Sequence, residues 1–113
     1  MYLIIIIMFE PENYYGNIEY KLYISSKKNE RIFSQFLFRM REGNGKAIYI
    51  IGITDQGKLH IRNIKLIYSS IKNFLNIVKN YANYKVRLFI YNEYVYSIIT
   101  LHNNDIIKKL EFI

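Results

Sequence analysis

The spacing of apolar residues changes several times along the first half of the chain, and each change marks a predicted element. Residues 17–24 alternate apolar and polar side chains, which is typical of a half-buried β-strand. In residues 32–40 the apolar positions recur at helical spacing, which predicts a helix with Asn29 as N-cap and Gly43 as a left-handed stop. Residues 47–53 are apolar at nearly every position, which predicts a strand with both faces covered.

The second half of the chain continues the pattern with one turn, a longer helix and several strands. Residues 54–57 have the composition of a hairpin turn, so residues 58–61 are predicted to pair back as an antiparallel strand. Residues 86–90 and 94–101 read as two more strands around the turn Asn92-Glu93, and residues 106–113 as a strand or short helix. The longer helix carries the apolar stripe Ile64, Ile67, Ile71, Phe74, Leu75 and Val78.

These elements follow the order β-α-β-β-α-β-β. Two helices and a mixed sheet predict an α+β fold, a two-layer sandwich that resembles in outline the small nucleic-acid-binding domains of the Alba type. The length of 113 residues fits a single domain spanning residues 1–113.

The first nine residues, MYLIIIIMF, are apolar throughout and carry no basic residue. They are too few for a helix that crosses a bilayer, which needs ~20 residues, and they lack the charged start of a signal peptide. Two interpretations remain for residues 1–12: an added N-terminal strand that ends at Pro11, which we favour, or an arm that binds a partner. Neither interpretation predicts membrane binding.

The residues that could carry catalysis are few. The chain has no cysteine and only two histidines, His60 and His102, and it shows no cluster with metal-ligand spacing. Glu19 and Glu42 fall on different predicted elements and do not form an acid/base pair. We therefore expect a non-enzymatic protein with no metal and no cofactor, and the absence of cysteine favours a cytoplasmic location.

Basic residues dominate the second half, and the formal net charge of the whole chain is +7. Lys65, Lys72 and Lys79 are spaced by two helical turns, so they lie on one helix face opposite the apolar stripe. Such a face suits RNA phosphates, although a merely solvated helix face is the plainer alternative. No acidic residue lies between Asp55 and Glu93, and we treat the seven basic residues there as one electrostatic unit: Lys58, Arg62, Lys65, Lys72, Lys79, Lys85 and Arg87.

Two further groups of residues leave alternatives open. Arg39 and Arg41 are added to the candidate RNA contacts, but they also sit near a helix C-terminus, where positive charge is favourable without any ligand. The chain has twelve tyrosines, more than a core of this size requires. Exposed tyrosines stack on unpaired bases or anchor protein interfaces, and the sequence favours neither over the other.

Two separated blocks of sequence carry a family resemblance. Residues 16–22, GNIEYKL, and residues 39–59, RMREGNGKAIYIIGITDQGKL, resemble the segment that precedes the GTPase domain in the eukaryotic GTP-binding proteins one and two. Those proteins are elongation-factor-like translational GTPases, and the resemblance covers residues 16–102. The chain has no P-loop, because Gly43-Asn44-Gly45-Lys46-Ala47 is too short and lacks the magnesium-binding hydroxyl. The resemblance therefore implies an accessory domain that stands alone and binds no nucleotide.

The sequence leads to two hypotheses of function. The first is a small RNA-binding factor that occupies a site on the ribosome as a dormancy or inhibitory factor of translation, with ribosomal RNA as its partner and ribosomal proteins as further candidates. The second is a protein-interaction module that binds a translational GTPase or an RNA-decay complex through its tyrosines and the arm of residues 1–9, with a homodimer joined at the arms as a variant.

Overall fold

The computed structural model describes residues 9–60, 63–91 and 94–103. They form an α+β fold in which two helices pack on one face of a four-stranded mixed sheet. The strands are β1 (Ile18–Lys21), β2 (Lys46–Ile51), β3 (Ala82–Tyr91) and β4 (Tyr94–Asn103), and the helices are α1 (Asn29–Glu42) and α2 (Ile64–Val78). The predicted two-layer architecture is confirmed.

The strands are arranged in the order β1-β2-β4-β3. β1 runs parallel to β2, which requires the crossover that α1 provides, while β4 is antiparallel to both β2 and β3. Ile48 pairs with Thr100 and Tyr49 pairs with Ile99, so alternate residues of the central strands face opposite sides of the sheet. β3 and β1 are the two edges of the described sheet.

The ends of α1 differ from the sequence prediction. Asn29 is the first helical residue and not the N-cap; a short 3₁₀ turn precedes it, and Ser25 Oγ accepts a hydrogen bond from Lys27 N at 3.2 Å. Gly43 has φ −96°, and the left-handed residues are Asn44 and Gly45. Gly45 N donates to Met40 O at 2.7 Å, so the helix ends in a Schellman turn whose carbonyls are satisfied from within the chain.

The predicted antiparallel return of residues 58–61 is confirmed only in part, and residue 61 lies outside the described residues. Residues 54–57 do turn back, with Gly57 at φ +85°, and Thr54 N donates to Lys58 O at 2.9 Å while His60 N donates to Gly52 O at 3.3 Å. Among the described residues this pairing gives an isolated bridge between Ile53 and Leu59 and adds no strand to the sheet. The reason is the strand order, since β2 already has β1 on one edge and β4 on the other, so the returning chain pairs only with residues 52–54, beyond the end of β2.

The main core lies between the sheet and the helices. Phe36 of α1 and Phe74 of α2 meet edge to face, and Tyr49 of β2 packs on Phe74 with ring centroids 4.3 Å apart. Ile24, which follows β1, is fixed to α2 because its N–H donates to Ser70 Oγ at 2.9 Å. Its carbonyl also accepts from Asn73 Nδ2 at 2.9 Å, so both backbone groups of this buried residue are satisfied.

The opposite face of the sheet, which we call the open face, has a smaller cluster. Tyr20, Ile50, Ile53 and Leu59 are buried there, beneath the loop of residues 53–59 and the segment that begins at Phe9. Phe9 N donates to Gly57 O at 2.6 Å, and the Phe9 ring meets Tyr96 edge to face at 5.3 Å. These contacts cover the β1–β2 half of the open face.

Some predicted elements fall outside the described residues, namely residues 1–8, the turn Asn92-Glu93 and the final segment 106–113. Within the residues that are described, α1 and α2 are too short and too polar for either of them to span a membrane. The predicted helical stripe of α2 is confirmed, because Ile67, Ile71, Phe74 and Val78 are all buried.

Candidate nucleic-acid interface

A stripe of basic residues runs along the solvent side of α2. Asn63 begins this helix, and its side chain accepts a hydrogen bond from Lys65 N at 2.9 Å, which fixes the N-terminus next to the first lysine. Lys65, Lys72 and Lys79 are exposed, as expected for residues opposite the buried stripe. We call Lys65, Lys72 and Lys79 the lysine stripe.

The lysine stripe has no described counter-charge. α2 itself contains no acidic residue. The described ion pairs join only Lys21, Arg39, Glu12 and Glu19, all of them away from this helix. Asn76 and Asn80 are also exposed beside the lysines and add neutral hydrogen-bond donors. The solvent side of α2 therefore presents ammonium groups that take part in no described ion pair, with neutral amide groups beside them.

Lys85 and Arg87 lie on the other side of the molecule. In β3 they pair with Thr100 and Ile98 of β4, and Ile98 belongs to the open-face cluster. The helices pack on the opposite side, against residues such as Ile99. The prediction that the basic residues after Asp55 form one electrostatic unit is therefore wrong, because the sheet separates the lysine stripe from Lys85 and Arg87.

The remaining predicted contacts are scattered. Lys58 is exposed in the loop of residues 53–59, and Arg41 is exposed at the end of α1. Arg62 lies outside the described residues. Neither Lys58 nor Arg41 lies on α2, so neither extends the lysine stripe along that helix.

Arg39 is a correction to the predicted RNA contacts, because its side chain is buried and fully engaged. The residue is 3% exposed, and its Nε donates to Glu19 Oε1 at 2.8 Å. Its Nη atoms donate to the carbonyls of Asn13, Tyr14 and Gly16 at 3.0, 3.3 and 2.8 Å. Four of the five guanidinium N–H groups are used in this way, and Nη2 also lies 3.9 Å from Glu12 Oε2, so the buried guanidinium is committed to the fold and not available to a phosphate. We call Arg39, Glu19 and Glu12 the arginine clamp.

The clamp holds two carboxylates close together. Glu12 Oε2 accepts a hydrogen bond from Tyr20 N and lies 3.9 Å from Arg39 Nη2. Burial raises the pKa of Glu12 to about 7 against an ordinary 4.5, with further upward contributions from the charges of Glu19 and Asp55, while the Tyr20 N–H acts in the opposite direction. Glu12 therefore holds its proton to a pH at which most carboxyl groups are ionised.

Sequence reasoning missed the purpose of the residues in the two family-like blocks. Glu42 Oε1 accepts from Gly16 N at 2.9 Å, and Asn17 Nδ2 donates to Lys46 O at 3.1 Å, so the first block is tied to the end of α1. Gly43 is equally constrained, since a Cβ there would lie 1.8 Å from Lys46 O. The joint presence of Gly16, Glu19, Arg39 and Glu42 in the two blocks was the available signal for these contacts.

The glycine-containing turn after α1 serves the helix. Gly43 N donates to Arg39 O at 3.0 Å and Asn44 N donates to Arg41 O at 3.1 Å. Gly45 N likewise donates to Met40 O. A phosphate-binding loop needs such N–H groups to point at an open site, whereas this turn directs them to carbonyls of its own helix. Among the described residues there is also no group of three His, Asp or Glu side chains that could hold a metal ion.

Two tyrosines stand out from the surface beside the clamp. Tyr14 is 77% exposed and Tyr15 is 67% exposed, and their rings meet edge to face at 5.0 Å. Their backbone is nevertheless anchored, because Arg39 Nη1 donates to Tyr14 O and Tyr15 N donates to Asn13 Oδ1 at 3.3 Å. The pair is thus an aromatic projection held on a fixed loop.

Comparisons with known proteins give one partial likeness. A stretch of 52 residues, 43% of this chain, is 44% identical to GTP-binding protein 2 of Mus musculus and to GTP-binding protein 2 of Homo sapiens. The aligned stretch makes up 9% of each of those proteins, so the chain spans only a small part of their length. No family model matches the chain, and no solved structure matches it. The likeness supports a relation to the GTP-binding protein 2 family over part of the chain.

Proposed function

We propose that this protein is a non-enzymatic factor that binds structured RNA through the lysine stripe of α2. The observation that carries the proposal is the set of three exposed ammonium groups on a helix that has no acidic residue and no described counter-charge. An RNA backbone supplies the missing negative charge, and each neutralised phosphate releases counterions that favour binding. The contact carries affinity without reading base sequence.

We propose that this RNA contact is made on the ribosome. The support is the resemblance of residues 16–102 to the segment that precedes the GTPase domain of translational GTPases, together with the partial likeness to GTP-binding protein 2. By itself, a domain that binds there would occupy a ribosomal site without driving a step of translation. The protein would then act in the cytoplasm as a dormancy or inhibitory factor.

The test is binding of the full chain to ribosomes and to duplex RNA over a range of salt concentrations. In the stripe variant, Lys65, Lys72 and Lys79 are replaced by glutamine, and we expect weaker binding and a salt slope reduced by about three or fewer units. In the matched control, glutamine replaces Lys27, Lys28 and Arg31, which are exposed near the start of α1. The control therefore removes the same amount of positive charge from a different surface. Equal losses in the two variants, or an unchanged slope in the stripe variant, would refute the assignment.

A protein partner is the second candidate, and the Tyr14–Tyr15 pair favours it. Exposed tyrosines on a fixed loop are typical anchors of protein interfaces, because they bury a large area while losing little conformational freedom. The partner would be a translational GTPase or an RNA-decay complex. Replacing both tyrosines with alanine should then abolish co-purification of that partner while RNA binding and the salt slope stay unchanged; loss of RNA binding instead would refute this candidate.

A further inference from the structure

The β3–β4 half of the open face forms a shallow groove. Its volume is about 420 Å³, and the segment at Phe9 and the loop of residues 53–59 pack on the other half of the same face. The floor is made by Ile98 and Thr100 of β4, which pair with Arg87 and Lys85 of β3. The groove is bordered by Asn83, Tyr84, Lys85, Arg87, Phe89 and His102.

The described residues give this groove positive charge. Lys85 and Arg87 are both exposed, and none of the described side chains that border the groove is acidic. The described ion pairs include neither of them. Because strand residues two apart point to the same face, Lys85 and Arg87 project side by side from β3, with their backbone positions ~6.6 Å apart. They therefore form a short basic row at the edge of the sheet.

An aromatic platform lies at one end of this row. Phe89 of β3 is stacked on Tyr96 of β4, with ring centroids 4.9 Å apart and an angle of 10° between the rings. Phe9 also contacts Tyr96 edge to face, with ring centroids 5.3 Å apart, so Tyr96 is held by two aromatic neighbours. Phe89 also borders the groove, so a flat apolar surface adjoins the two cations.

We propose that this groove binds unpaired nucleotides of RNA, as a second surface distinct from the lysine stripe. A single strand supplies a phosphate at every nucleotide for Lys85 and Arg87, and it can turn a base onto the ring of Phe89. Paired bases are hidden inside a duplex and cannot reach this ring. The amide of Asn83 and the imidazole of His102 add hydrogen-bonding groups at the far end. The choice of RNA rests on the proposed function.

The two surfaces would then recognise different parts of one RNA. The lysine stripe and the groove lie on opposite sides of the molecule, since α2 packs on one face of the sheet and Lys85 and Arg87 project from the other. The stripe suits the regular backbone of a duplex, and the groove suits a loop or a frayed strand beside it.

The experiment measures fluorescence anisotropy of the full chain with two labelled probes. One probe is an oligouridine of about ten nucleotides, within the range of single-strand sites on comparable sheets, and the other is a duplex RNA of about 16 base pairs. The groove variants are Lys85→Gln with Arg87→Gln, and separately Phe89→Leu. The comparison variant is the glutamine triple change of the lysine stripe. Circular dichroism melts verify that every variant is folded.

We expect Phe89→Leu to weaken oligouridine binding by about tenfold, because stacking of one base is worth about that much. The variant with Lys85→Gln and Arg87→Gln should weaken it by about the same factor, because it removes two cations that contact phosphates. Both groove variants should change duplex binding by less than about twofold. The stripe variant should show the reverse pattern. Unchanged oligouridine binding in both groove variants would overturn the groove proposal without affecting the proposed role of the lysine stripe. Unchanged duplex binding in the stripe variant would overturn the proposed function instead. A concentration-dependent dimer that Phe89→Leu dissociates would assign the groove to a second copy of the chain and also overturn the proposal.

Discussion

Arg39 of α1 and the lysine stripe of α2 use positive charge in opposite ways. In α1, Arg39 points inward and donates hydrogen bonds to a carboxylate and three carbonyls, so its charge stabilises the fold. In α2, the lysine stripe points outward with no described partner. In this fold, Arg39 stabilises the structure because the tertiary structure brings Glu19 to it, whereas the lysines without such a partner remain available to a ligand.

The largest expected effect comes from removing the buried charge of the clamp. Arg39→Met should lower the free energy of unfolding by about 3–5 kcal/mol, because Glu19, which is 3% exposed, loses its hydrogen-bonded counter-charge and keeps only Lys21 Nζ at 3.7 Å. The matched change in α2, Lys72→Met, should alter stability by less than about 0.5 kcal/mol. Urea unfolding of the two variants measures both values. Similar losses for the two variants would break the distinction between the helices.

The pH dependence of stability is expected to be a smaller effect, and it tests the same clamp. Because the folded protein raises the pKa of Glu12 to about 7, the proton is bound more tightly in the folded state than in the unfolded chain. The resulting stabilisation is complete below the unfolded pKa of about 4.5 and is lost as the pH rises through 7. The melting temperature should therefore fall between about pH 5 and pH 8.

The control for this prediction is Glu12→Gln, which resembles the protonated carboxyl and cannot ionise. Its melting temperature should change less over the same interval than that of the unaltered protein. A melting temperature of the unaltered protein that rises steadily over that interval would show that Glu12 is ionised in the fold and that Arg39 outweighs its burial.

The smallest expected effect concerns Tyr49, which lies in the core near the clamp. Its ring is fully buried, its hydroxyl has no hydrogen-bond partner among the described residues, and burial raises its pKa. Tyr49→Phe removes a polar group that loses its hydration on folding, so stability should stay equal or rise by about 1 kcal/mol. Urea unfolding provides the measurement. A clear loss of stability would mean that the hydroxyl completes the clamp.

Local patterns in the sequence were sufficient for most of the secondary structure. The apolar stripe of α2, the covered strand β2 and the glycine turn at Gly57 could be predicted because each depends on residues close in sequence. The exposure of Lys65, Lys72 and Lys79 could be predicted for the same reason, since it follows from helical spacing against a buried stripe.

Long-range contacts decided what the sequence could not show. Arg39 and Arg41 are two residues apart and look alike in sequence, yet one is buried because β1 presents Glu19 to it and the other is exposed. The strand order kept residues 58–60 out of the sheet by occupying both edges of β2. It also placed Lys85 and Arg87 on the opposite side from the lysine stripe. The sequence alone determined the elements and their faces, whereas the pairing of strands decided which charges meet, because that pairing joins residues that are far apart in the chain.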